Sequence, residues 1–406
     1  MPETVGIVTG SFPSPSETFV VNLVRGLIDS GLDPRVFALS EGPPWQAETK
    51  EFAGRTIEAP GLSPGSRRRW RGAASLVLAN RRHFGPLWRV FALMASGALP
   101  RSPRVVQAAA LFLNADIPPV LHCQFGPYGR LLVGLRDAGI IDARIITHFR
   151  GHDLTGFVRR HGSGVYDRLF ARGDYFLAVT DALRDRLLAL GCPAERTALC
   201  RSGVDLSAFP PRAPGVDLAN PVRLITIGRL VEKKGTEFAI RAAALLLERG
   251  RDVTLDIVGE GRLRAPLGAL IETLGVGASV RLLGAVPHDA VGDRLGRADI
   301  CLAPSVTAAD GDAEGLANSI KEAMAVGVPV VATDHGGTAE LITDGVNGCL
   351  VAERDPAALA DRVAWLIDHP AARQAMAAAG RPAIEAGFDN RGIVADLVQL
   401  YRRLAG

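Results

Sequence analysis

Several things are scarce in this sequence, and each shortage removes a class of function. Cysteine is one: Cys123, Cys192, Cys200, Cys301 and Cys349 form no CxxC pair and do not cluster with histidine at ligand spacing. Neither a disulfide scaffold nor a structural zinc site is therefore in view. Several of these thiols sit in apolar runs, as reduced buried cysteines do, which points to the cytoplasm. The longest apolar stretch, near residues 84–100, is interrupted by Arg89 and is too short for a membrane span. No secretory leader precedes the first strand-like run, TVGIVTG. No strand runs into a GxGxxG followed by a suitably placed acidic residue, so a dinucleotide-dependent oxidoreductase is disfavoured. Net charge is only +3, which gives nucleic-acid binding no support.

One shortage is local. Between Ala59 and Ala115 there is no Asp or Glu, yet nine Arg occur, including Arg67, Arg68, Arg69, Arg71, Arg81, Arg82 and Arg89, with Trp70 and Trp88 among them. This is either a solvated Arg-rich helix pair or a surface for anionic head groups, since Arg supplies charge and Trp anchors at the interface. The 67–104 region is thus a candidate peripheral contact with an anionic membrane, at the inner face of the cell membrane.

A chain of 406 residues is long enough for two domains. TVGIVTG, RVFAL, VLHCQF, RIITHF, YFLAVT and TALCRSG read as strands in the first half. VRLITIG, VTLDIVG, SVRLLG, ADICLAPS, PVVAT and CLVA read as strands in the second. Amphipathic helical segments such as TFVVNLVRGLIDSG separate them. Alternation of this kind predicts parallel sheets covered on both faces. The Pro-rich stretch 210–221, PPRAPGVDLANP, is the natural linker. The expected fold class is therefore α/β: two doubly wound Rossmann-like domains facing a cleft, with ligands at the carboxyl ends of the strands.

In the second half, GRLVEKKG puts Arg229 and Lys234 in a strand-to-helix loop closed by Gly235, an arrangement suited to an anion. VGEG, with Gly259 and Glu260, is a second glycine turn that lets a ligand approach the backbone. The stretch DAEGLANSIKEAMAVGVPVVATDHGG sets Glu314 in a loop and Glu322 on the helix expected to start near Asn318 or Ser319. The amides of Gly315, Leu316, Ala317 and Asn318 would then face a diphosphate. Carboxylates such as Glu314 and Glu322 suit vicinal sugar hydroxyls, because two oxygens accept two donors. Asp310–Gly311–Asp312 spells DxD, but the cations already present can neutralise a diphosphate, so no metal is expected.

GRLVEKKG, VGEG, the Glu-x7-Glu of Glu314 and Glu322, EAMAVGVPVVAT and GGTAELI resemble the donor half of the retaining family four glycosyltransferases, which have the GT-B fold. FPSPSETFVVNLVRGL, HCQFGPYG, ITHFRGHDLTG and RSGVDLSAF are similar to the colanic-acid and exopolysaccharide biosynthesis branch. The resemblance implies that Arg229 and Lys234 bind the donor diphosphate, Glu322 the ribose and Glu314 the donor sugar. It implies a UDP-sugar or GDP-sugar donor, a glycan or lipid-linked acceptor, no cofactor, and retention by front-side attack. Gly10 would approach the donor phosphate, and Ser16, Glu17 and Thr18 the acceptor. Where relatives often carry FHGxD, this chain has Arg150 at the His position, flanked by His148 and His152 and followed by Asp153. Which of His148, Arg150 and His152 faces the anomeric carbon is open at this point. The domains are expected at 1–210, completed by the C-terminal helix 388–406, and at 211–387. The competing reading is a glycosyltransferase with a small-molecule natural-product acceptor.

Overall fold

The computed structural model describes residues 3–14, 17–40, 51–52, 54–61, 66–213, 215 and 217–406. Two all-parallel sheets organise it. The first contains β1 (Thr4–Thr9), β2 (Asp33–Ala38), β3 (Thr56–Glu58), β4 (Val120–Cys123), β5 (Arg144–Phe149), β6 (Tyr175–Ala178) and β7 (Thr197–Leu199), in the order β3-β2-β1-β4-β5-β6-β7. The second contains β8 (Val222–Ile227), β9 (Val253–Val258), β10 (Val280–Gly284), β11 (Ile300–Ala303), β12 (Val330–Thr333) and β13 (Cys349–Val351), in the order β10-β9-β8-β11-β12-β13. The strands β4, β11 and β12 are buried along their whole length, as expected of parallel strands covered by helices on both faces.

Strand order reverses between β1 and β4 in one sheet and between β8 and β11 in the other. These are the crevices where ligands of open α/β sheets bind. The sequence reading anticipated every strand except β3, a three-residue edge strand with no buried position. The fold class is as expected.

The last helix, Asn390–Ala405, returns to the first sheet. Its Asn390 Nδ2 donates to the Asn22 carbonyl at 2.8 Å, and the Tyr401 hydroxyl meets His122 Nδ1 at 2.7 Å under β4. Val204 and Phe388 exchange the chain between the two halves, with the Val204 amide donating to the Phe388 carbonyl at 2.8 Å. Apolar side chains of this helix, Val394, Leu397 and Val398, join the cluster formed by Val20, Val24 and Leu27 of helix Thr18–Asp29. Burying several such side chains stabilises the docking by about 1.5–3 kcal/mol each before ordering costs.

Candidate functional site

A cleft of about 530 Å³ runs between the carboxyl ends of the two sheets. Glycines shape its floor. Gly235 has φ +61°, and a Cβ there would lie 1.8 Å from the Pro304 carbonyl oxygen; at Gly259, with φ +144°, it would lie 1.9 Å from the Gly228 oxygen. Only glycine permits both the left-handed backbone and these approaches. They bring the β8, β9 and β11 termini together.

Two helices start at this floor, Thr236–Glu248 and Asn318–Val326, and neither has a side-chain N-cap. Apart from the Phe238 and Ile320 amides, which bond back to the Gly235 and Ala317 carbonyls, their first-turn amides are left for a ligand or water, and the positive ends of both helices favour an anion. The second helix ends at Gly327 in the left-handed region, which explains its short span.

The loop 312–317 is fixed from both domains. Asp312 Oδ1 pairs with Lys233 Nζ at 3.1 Å and with His152 Nδ1 at 3.2 Å. The Ala313 amide donates to Thr155 Oγ1 at 3.3 Å, and the Glu314 amide to His335 Nε2 at 3.1 Å. Because Nε2 accepts, His335 presents its Nδ1 proton to Glu353 at 2.5 Å. Gly337 donates to the Gly315 carbonyl at 2.5 Å. Glu314 is consequently aimed at Lys233 and Lys234, 3.2 Å from each Nζ. Burial alone would raise its carboxyl, but Lys234 and Lys233 overcome that and hold it at about 2.

Arg150 reaches the cleft from the end of β5. Its Nη1 donates to Ser202 Oγ at 2.7 Å, and its Nη2 reaches Gln124 Oε1 at 2.6 Å and His148 Nδ1 at 3.2 Å. The guanidinium carbon lies 4.0 Å from the Phe19 ring centroid. Burial lowers its proton affinity, to about 10, which leaves it charged at neutral pH.

Arg150, Arg229, Lys234, Gly259, Glu260, Glu314, Gly315, Leu316, Asn318, Glu322 and Thr18 all line the cleft. The other candidates stand behind it. His148 is buried, held by the Cys200 carbonyl at 2.9 Å, and burial pushes its imidazole well below the ordinary range, so it is a neutral support for Arg150. Asp153 turns inward and accepts from the amides of Gly126, Arg150 and Gly151, fixing the loop backbone. His152 faces Asp312 across the domain boundary. Gly10 closes β1 below the Tyr128 hydroxyl, Glu17 accepts from Thr9 Oγ1 at 2.8 Å, and Ala317 is buried just before the helix. Ser16 lies outside the described residues.

Five groups in or around the site were not picked out from sequence. Lys233 pairs with the Glu314 loop, and Gln124 and Ser202 position Arg150. His288 lies 3.4 Å from Glu322 Oε1, and Lys321 donates to the Ser202 carbonyl at 2.7 Å. Lys233 could have been found as the neighbour of Lys234 in an anion loop. The others depend on contacts between distant segments. No cluster of three or more metal-ligating side chains occurs among the described residues.

The fold has close relatives among solved structures. The structure of Anabaena Alr3699/HepE in complex with UDP and glucose superimposes with a TM-score of 0.76 at 18% identity, covering 99% of this chain and 100% of that one. The sucrose-phosphate synthase of Thermosynechococcus elongatus gives 0.72 at 19%, covering 99% of each. Two facing Rossmann-like domains of this kind are the GT-B arrangement of glycosyltransferases. Residues 16–208 match the Glycosyltransferase Family 4 description and residues 217–382 match Glycosyl transferases group 1. WcaL of Escherichia coli K12, a protein assigned to colanic acid biosynthesis, is 38% identical over 368 residues, 89% of each chain. The amylovoran biosynthesis glycosyltransferase AmsK of Erwinia amylovora is 33% identical over 409 residues, 98% of each chain. The chain belongs to the family four glycosyltransferases, in the exopolysaccharide biosynthesis branch represented by these two relatives.

Proposed function

We propose that the protein transfers a sugar, with retention of anomeric configuration, from a UDP-sugar or GDP-sugar to a hydroxyl of a glycan or lipid-linked glycan during exopolysaccharide assembly. The observation that carries this reading is the convergence of Arg229, Lys234 and two uncapped helix N-termini at the β8/β11 crevice, with Glu314 held ionised beside them. A diphosphate supplies the charge this arrangement lacks. As the bond from C1 to the donor phosphate breaks, Arg229, Lys234 and the amides of residues 315–318 stabilise the departing nucleoside diphosphate. The acceptor oxygen forms its bond to C1 on the same face, and its proton passes to the departing phosphate. Glu314 holds the donor sugar and Glu322 the ribose. These cations provide the countercharge, so the reaction runs without a divalent metal.

The acceptor belongs to the first domain, 1–210 completed by 388–406, near Glu17 and Thr18; the donor belongs to 211–387. Interdomain contacts such as Asn318 Nδ2 to Thr18 Oγ1 at 3.3 Å favour a closed cleft that excludes water. No helix among the described residues is long and apolar enough to cross a membrane. A cytoplasmic enzyme could meet a lipid-linked acceptor through the surface carrying exposed Trp70, Phe84 and Trp88 with Arg68, Arg71, Arg81 and Arg82. The Arg67 side chain lies outside the described residues.

Calorimetric titration with UDP and GDP in EDTA, repeated with Lys234→Ala and Glu322→Ala, tests the donor site. Binding of one nucleotide that both variants weaken at least tenfold is expected. Binding of neither overturns the donor assignment.

A further inference from the structure

Two cationic side chains of the cleft are without a contacting carboxylate among the described residues, Arg150 from the first domain and Lys321 from the second. Glu314 is matched by Lys233 and Lys234, and Glu260 by Arg264 at 2.8 Å. Arg150 and Lys321 differ. Among the described residues, neither cationic group has a carboxylate within 4.0 Å that forms an ion pair with it. Arg150 is held by a hydroxyl, an amide and a neutral imidazole, and its Nε is buried without a partner. Lys321 is 1% exposed, and the bond from its Nζ goes to a carbonyl. Both bonds end on the same residue: Arg150 on Ser202 Oγ and Lys321 on Ser202 O, each at 2.7 Å.

Burial without a contacting carboxylate works against the charge of both groups and holds the Lys321 ammonium down at about 7, so an anion seated between them would favour its protonated form. Neutral hydrogen-bond partners fix their positions, and the carboxylates that act on them, Asp153 and Glu17 on Arg150 and Glu322 on Lys321, do so without an ion-pair contact. By donor count, Arg150 Nη1 has one hydrogen left and Lys321 Nζ has two. Both side chains line the cleft, as do Thr18 and Phe19.

We infer that Arg150 and Lys321 form a second anion subsite, which receives the carboxylate of a sugar ring such as a uronic acid. A planar carboxylate can accept from Nη1 with one oxygen and from Nζ with the other. The inference rests on the nucleotide-sugar reading and adds the substrate's chemical class to it. The carboxylate can come from the donor sugar or from the acceptor, and the test separates these sources.

The experiment is calorimetry on the full chain with wild type, Arg150→Gln, Arg150→Lys and Lys321→Met. One arm compares UDP-glucose with UDP-glucuronate and GDP-mannose with GDP-mannuronate. The other compares methyl glucoside with methyl glucuronide in the presence of saturating UDP or GDP. The expected result is at least tenfold preference for a carboxylated probe in one arm. That preference should fall to within about threefold of parity in Arg150→Gln and Lys321→Met, and be partly kept in Arg150→Lys. A preference in the first arm assigns the carboxylate to the donor; in the second, to the acceptor. Bare nucleotide binding without preference in either arm overturns the inference but leaves the donor reading standing. Equal weakening of UDP or GDP and of the carboxylated probes in the variants also overturns it, because the cations would then serve the diphosphate. If neither nucleotide binds, the donor reading fails and the inference falls with it.

Discussion

Replacing Glu314 with Gln removes one charge from the centre of the site while keeping its shape. In the native protein the carboxylate lies 3.2 Å from both Lys233 and Lys234, with its side chain 16% exposed. Burial opposes its ionisation, yet the two lysines bring its proton affinity from the ordinary 4.5 down to about 2. At roughly 1.4 kcal/mol per tenfold change in proton affinity, this represents about 3 kcal/mol of folding free energy. A second-domain transition should therefore melt about 6–12 °C lower in Glu314→Gln at pH 7, by calorimetric scanning. A depressed carboxyl contributes fully above the unfolded value of 4.5 and loses its contribution as pH falls toward 2. The gap between wild type and variant should thus be flat from pH 7 to about 5.5 and narrower by about 1.4 kcal/mol at pH 3.5. A melting temperature within 2 °C of wild type at pH 7, or a gap unchanged at pH 3.5, would refute the reasoning that Glu314 is an electrostatic anchor of its own loop.

Glu340 of the second domain accepts from the amides of Asp181 and Ala182, at 2.9 and 3.0 Å, across the domain boundary. Glu340→Ala should destabilise the closed form by about 2 kcal/mol, seen as a donor KM raised about ten- to thirtyfold. Gly235→Ala should place its methyl against the Pro304 carbonyl and lower second-domain stability by more than about 3 kcal/mol; a melting temperature equal to wild type would show that the floor can yield. On the first domain, Phe84 and Trp88 are 63% and 64% exposed and stack with centroids 6.3 Å apart. Phe84→Ser with Trp88→Ser should reduce sedimentation with phosphatidylglycerol vesicles at least fivefold while leaving the melting temperature within 2 °C. Equal sedimentation would remove the membrane role from this surface.

What the sequence disclosed followed the range over which its signals act. Strands such as PVVAT and VRLITIG are apolar runs closed by turn residues, so their existence depends on neighbours a few positions away. β3 escaped because Thr56–Glu58 is a three-residue edge strand with no buried side chain, leaving no apolar pattern to detect. The second-domain wall of the cleft was readable for the same local reason: Arg229, Lys234 and Gly235 fall within one strand-to-helix turn, and Glu314 and Glu322 within one loop and helix. The first-domain wall was less readable. Arg150, His148 and His152 are alternate residues near a strand end, and spacing alone offers all three as candidates. Their separation is made by Gln124, Cys200 and Ser202, which hold Arg150 toward the cleft and His148 behind it from 26 to 52 positions away. Lys321 is the extreme case. In sequence it is one polar residue on an amphipathic helix, adjacent to the more conspicuous Glu322. Only the return of Ser202 to the same place, 119 positions away, makes it a buried amine facing a shared cleft. The bond from Lys321 to Ser202 thus joins the two halves of the chain, while Arg229, Lys234, Glu314 and Glu322 are grouped along it. A substitution series meant to change sugar selectivity should accordingly begin at Arg150, Lys321 and Ser202, before the loop motifs that made the family recognisable.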